Sequence, residues 1–156
     1  MFRLILLVTI CFGGAATAQI TPMCQANESG QNCDQILACI GSKGQWFNGT
    51  TLGRGPVNDI EGQMNNGTIC TGQRTQFNKA FSGSITLTCS DGTQTTVKYD
   101  PPLLGEHRDF GSGHDVTPDG RDINIWVSQD LISTLRRESG GIVSLLPCPG
   151  GAIRLD

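Results

Sequence analysis

Ser84-Ile85-Thr86-Leu87-Thr88-Cys89-Ser90-Asp91-Gly92-Thr93-Gln94-Thr95-Thr96-Val97-Lys98-Tyr99 is the stretch that decides the fold. Ile85, Leu87 and Cys89 alternate with Ser84, Thr86 and Thr88, so an extended chain puts the apolar set on one face and the hydroxyls on the other. Asp91-Gly92 is a tight-turn signal, because aspartate bonds its own turn and glycine accepts a positive φ. Thr95, Val97 and Tyr99 then resume on one face. The segment predicts a β-hairpin with one buried side.

Working outward, the same grammar repeats. Gln45 to Leu52, Val57 to Met64 and Thr68 to Thr71 are strand candidates, with Asn66-Gly67 as a second hairpin turn. Pro101-Pro102 stops the Tyr99 strand, since proline cannot donate to a ladder. Asp122 to Val127 alternates Ile123, Ile125 and Val127 against Asp122, Asn124 and Trp126, and Ile142 to Leu146 and Ala152 to Leu155 complete the strands. Two short helices are expected. One runs from Cys33 to Ile40 with Ile36, Leu37 and Ile40 on one face and Gly41 ending it. The other runs from a Ser128 cap to Glu138, with Leu131, Ile132 and Leu135 buried and Arg136 and Arg137 at the dipole-favoured end. The fold class is therefore mainly β: one antiparallel β-sandwich or small barrel with two short helices.

Cysteine usage sets the compartment. Arg3, the apolar run Leu4 to Phe12 and Ala16-Thr17-Ala18 have the layout of an export signal, so residues 1–18 read as a cleaved leader and residues 19–156 as a single disulfide-stabilised domain. Of seven cysteines, Cys11 lies in that leader. The other six, Cys24, Cys33, Cys39, Cys70, Cys89 and Cys148, form an even set that reads as three disulfides in an oxidising space, periplasmic or secreted. Cys70 is expected to bond Cys89, because both sit at the ends of strands flanking one connection, and Cys148 to reach back to the N-terminal segment.

Acidic side chains outnumber basic ones, 14 to 11, which argues against nucleic acid as a partner. No later segment has transmembrane length. No cofactor motif stands out, so no cofactor is expected, and the partner is an unknown protein or small molecule. Asn27-Glu28-Ser29, Asn48-Gly49-Thr50 and Asn66-Gly67-Thr68 fit the glycosylation sequon.

Two features could carry chemistry. Residues 103–121 read as a long glycine-rich loop holding His107, Asp109, His114 and Asp115, whose imidazoles and carboxylates suit a first-row metal ion. Trp126 falls on the polar side of its strand. There it is either covered by the C-terminal helix or part of a binding surface. Glu138 to Val143 resembles the nucleophile segment of chymotrypsin-like proteases over half a dozen residues, but Glu138 and Ile142 depart from that pattern and neither histidine stands in that family's histidine segment. A helix C-cap explains the segment better. The leading expectation is an exported, non-enzymatic binding or structural module. Its rivals are a small hydrolase or metal-dependent enzyme using residues 107–115, and a protease inhibitor presenting the proline-stiffened loop.

Overall fold

The computed structural model describes residues 24, 33–53, 55–77, 82–100, 110–138 and 145–155. Eight strands follow in order: β1 (Cys33–Ile40), β2 (Gln45–Leu52), β3 (Val57–Met64), β4 (Ile69–Gln76), β5 (Gly83–Cys89), β6 (Gln94–Tyr99), β7 (Phe110–Val116) and β8 (Asp122–Ser128). They form one antiparallel sheet in the order β6-β5-β4-β3-β2-β1-β8-β7. Successive strands pair except β6 and β7, which are the two ends of the sheet, and β8 returns to β1 from Gln35↔Ser128 to Ile40↔Ile123. The two ends of the sheet meet at Asp100 and Ser112, whose backbone N–H and C=O groups bond reciprocally at 3.0 Å. The result is a nearly closed up-and-down barrel.

Three hairpins at one end share a design. Asn65-Asn66-Gly67, Ser90-Asp91-Gly92 and Pro118-Asp119-Gly120 each end on a glycine in the left-handed region, with φ of 87°, 85° and 82°. Each closes with the same pair of backbone bonds, as in Cys89 N–H to Thr93 O (2.8 Å) and Gly92 N–H to Cys89 O (2.9 Å). This is the three-residue loop whose last residue must adopt positive φ. Asp91 Oδ1 also accepts the Thr93 N–H at 2.9 Å, a bond that holds its carboxyl below the usual carboxylate range.

Curling eight strands into a ring needs close backbone approach on the inner face. At Gly72 a Cβ would lie 1.9 Å from Thr86 O, and at Gly113 it would lie 2.0 Å from Lys98 O. No other residue fits either place. Glycine kinks of this kind let a sheet turn a barrel corner. The space they leave is filled from the side: the Phe47 ring covers Gly49 and Gly62, which face each other across β2 and β3.

The Cys33–Ile40 segment is a strand, β1, not the expected helix. Its reason is burial on both faces. Ile36, Ala38 and Ile40 point into the barrel core, while Leu37 and Cys39 belong to a second core outside it. A continuous apolar run of this length has no period to separate helix from strand. The fold therefore has one helix among its described residues, α1 (Leu131–Glu138), which starts three residues later than expected because Ser128 still pairs in β8. The expected loop 103–121 is also corrected in part, since Phe110–Val116 is β7, paired along its whole length with β8.

The second core is built by the C-terminal segment. α1, β9 (Leu145–Cys148) and β10 (Gly151–Arg154) lie against the outer face of β1 and β2, burying Leu37, Trp46, Phe110, Leu131, Leu135 and Ile153. The β9–β10 turn docks on the β1–β2 turn through Gly44 N–H to Pro149 O at 2.9 Å. Three disulfides staple the chain: Cys24–Cys33, Cys39–Cys148 and Cys70–Cys89. Cys39–Cys148 ties the appendage to the barrel wall. Cys70 and Cys89 face each other in register across β4 and β5, inside the barrel.

Candidate functional site

A barrel of eight strands can hold a ligand or be filled by its own side chains. Here it is filled. Ile36, Phe47, Ile85, Val97, Ile123, Ile125 and Val127 all point inward and each is 0% exposed. Among the described residues these side chains pack into one core.

Among buried inward polar side chains, which include Thr51, Asn58 and Thr95, one charged group interrupts that core, toward the end opposite the three-residue hairpins. Asp34 on β1 and Arg74 on β4 take inward positions and form an ion pair, with side chains only 6% and 3% exposed. Arg74 Nε also donates to the Tyr99 hydroxyl at 2.7 Å, and its guanidinium lies 5.6 Å from the centre of that ring. Burial pushes the Tyr99 phenol above its ordinary value, against the opposing pull of the Arg74 hydrogen bond and charge. The group links three strands, β1, β4 and β6, across the barrel. It acts as an internal brace.

The outer face offers a different arrangement. Ser112 stands opposite Trp126 and His114 opposite Asn124 in the β7–β8 register. With Gly113 they line a shallow recess of about 350 Å³. His114 Nδ1 and Asn124 Oδ1 are 3.1 Å apart, which orients the imidazole across the two strands. Trp126 is half-buried: part of it packs on the second core, and part lines the recess. On one side β1 carries Leu37 and Cys39 in register with Trp126 and Asn124, under the C-terminal appendage. On the other side Asp100 is paired with Ser112, and exposed Lys98 precedes it on the same outer face.

The sequence-marked residues thus separate. His114 and Trp126 come together. Asp115 follows His114 directly in β7, so the two point to opposite sides of the sheet. His107 and Asp109 lie outside the described residues, and among the described residues no three His, Cys, Asp or Glu side chains form a group able to hold a metal ion. Of the sequons, Asn48 is buried, with Oδ1 accepting from Gln35 Nε2 at 3.2 Å, whereas Asn66 is exposed in its turn. Asn27 lies outside the described residues. Alternation along β8 already puts Asn124 on the face of Trp126, whereas Ser112 joins them only through the β7–β8 register.

No protein-family model matches the chain, and no curated protein matches it. Among solved structures it is similar to a redesigned β-barrel bound to DFHBI, with 16% identity and a TM-score of 0.46 over 62% of this chain and 92% of that one. It is also similar to a de novo designed fluorescence-activating β-barrel, with 17% identity and a TM-score of 0.44 over 68% of this chain and 98% of that one. The barrel described here stands on its own strand pairing. Among the described residues no helix is long and apolar enough to cross a membrane.

Proposed function

We propose that the protein is an exported, non-enzymatic binding module that works through its outer wall at β7–β8 and not through its barrel interior. One observation carries this: register gathers Trp126, His114, Asn124 and Ser112 into one recess, while the interior is occupied by its own side chains. A half-buried indole beside polar groups is the usual composition of a recognition surface. Three disulfides suit an oxidising extracellular environment and give the rigid support that such a surface needs. The hydrolase alternative draws on the same imidazole. His114 has an orienting partner in Asn124, but its described hydrogen bond is to that amide and not to the Ser112 hydroxyl, so no base–nucleophile pair supports it.

The test uses the two tryptophans of the chain. Trp46 is buried under the appendage and serves as an internal control. In an isotope-labelled sample, a bound ligand is expected to shift the Trp126 indole signal and the amides of β7 and β8 while leaving Trp46 in place. Ligand shifts confined to inward-facing residues such as Ile85 and Val97 would refute the reading.

A further inference from the structure

We infer that the β7–β8 recess takes an uncharged saccharide, with a sugar ring lying against Trp126. This deepens the binding-module reading and rests on it. The lining decides the ligand class by its chemistry. Ser112, His114 and Asn124 offer hydroxyl, imidazole and amide groups, each able to donate or accept, and none carries a fixed charge. Among the described residues the floor of the recess holds no charge to repay an ionic ligand for its lost water. The charged side chains at its margin, Lys98, Asp100 and Asp122, are of mixed sign and exposed, so water screens them and they add hydrogen-bonding capacity more than a pull on an ion.

A wholly apolar ligand fits no better, since three of the five lining residues are polar. It would strip water from the His114–Asn124 pair and from Ser112 without replacing their bonds. The ligand must therefore have an apolar face for the indole and several neutral hydroxyl or amide groups around its edge. A pyranose ring has both: axial C–H groups on one face and hydroxyls at the rim. The recess is shallow and open to solvent, which lets a chain of such rings continue past it. Its volume of about 350 Å³ is at the small end for ligand sites, fitting recognition of a short stretch rather than engulfment of a whole molecule.

The test titrates the intact, disulfide-bonded protein with cellohexaose and with chitohexaose at millimolar concentration, reading the Trp126 indole signal against that of Trp46. At least one of these neutral saccharides is expected to shift Trp126 saturably. Trp126→Ala, followed through the backbone amides of Ser112, His114 and Asn124, is expected to weaken binding about tenfold or more, the loss of one ring-stacking contact. Trp126→Phe keeps an aromatic face and the packing on the second core, so it should retain intermediate affinity, and its melting temperature certifies that the fold survives. A parallel series with free amino acids and sugar phosphates separates the two claims. If these charged ligands shift Trp126 and the neutral saccharides do not, the saccharide assignment is wrong and the recess still stands as a binding site. If neither series moves Trp126, the saccharide assignment and the site fall together.

Discussion

Replacing Arg74 by Met is the most demanding test of the barrel's interior. The change keeps the apolar stem of the side chain and removes the guanidinium from beside the buried Asp34 carboxylate. The two side chains are 3% and 6% exposed, so solvent screening gives little relief. At an ion-pair contact of ~3 Å and an effective dielectric near 20, the lost attraction is about 5 kcal/mol. Removing one partner of a buried pair typically costs about 3–5 kcal/mol net, and the Arg74–Tyr99 hydrogen bond at 2.7 Å goes with it. Against a typical domain stability of about 5–15 kcal/mol, that loss is large. The double variant Asp34→Leu with Arg74→Met should behave differently. With both charges gone no buried carboxylate is left facing a lost cation, and stability should recover most of what Arg74→Met alone loses. Urea denaturation followed by tryptophan fluorescence measures all three, with equal slopes showing that the unfolded reference is unchanged. Two single variants that each lose under ~1 kcal/mol and simply add in the double would show that water reaches the pair, and the description of a dry, filled barrel would be wrong.

Tyr99 is the sole tyrosine of the chain, so its ionisation can be followed directly by ultraviolet absorbance. Its phenol is raised by burial, so the unfolded state releases this proton at lower pH than the native state does. Its contribution is fully present below about pH 10 and is lost as pH rises through the native value, at up to about 1.4 kcal/mol per pH unit. Tyr99→Phe should flatten that alkaline limb, and an unchanged limb would refute the assignment. Gly72→Ala should cost about 1–3 kcal/mol, because its Cβ would meet Thr86 O at 1.9 Å and only backbone can give way. A calorimetric melting temperature equal to the parent's would show that the corner does not need glycine. Removing Cys39 and Cys148 together should cost about 2–5 kcal/mol and make the segment after Ser128 the first site of proteolysis, as Trp46 loses its cover. Cleavage elsewhere first would mean that packing alone holds the appendage.

The sequence was most readable where one face of a strand meets solvent. Ile85, Leu87 and Cys89 alternate with exposed or half-buried Ser84, Thr86 and Thr88, and that half of the barrel wall is uncovered. β1 was opaque because Ile36 and Leu37 are both wanted inside, by two different cores. β7 was opaque for the opposite reason. Its inward positions include Gly111 and Gly113, so the pattern that signals a strand is missing on the face that matters. Arg74 hid in plain sight. The expected strand ends at Thr71 and leaves Arg74 in a connection, whereas β4 runs on to Gln76 and Arg74 shares its parity with Cys70, the expected partner of Cys89. Following that parity from the disulfide would have placed a charge in the core. Alternation puts Trp126 and Asn124 on one face, but Ser112 and His114 join them through the β7–β8 register, which no local pattern encodes.

The layout of the disulfides also dictates a calendar for the emerging chain. Cys70 and Cys89 belong to one local hairpin, 19 residues apart, and can meet as soon as β5 has emerged. Cys39 must wait for Cys148, 109 residues later, and the two can approach only after β8 has found β1 and the appendage has swung over the wall. Closure of the ring is the one long-range pairing in an otherwise sequential meander, so it is the slow, order-setting event. Until then Cys39 is an unclaimed thiol in a compartment that oxidises thiols. Chains that pair it too early, with Cys24 or Cys33, strand Cys148 and leave Leu37 and Trp46 uncovered. A thiol–disulfide isomerase that reopens such premature bonds is therefore the folding factor on which the yield of this protein should depend most.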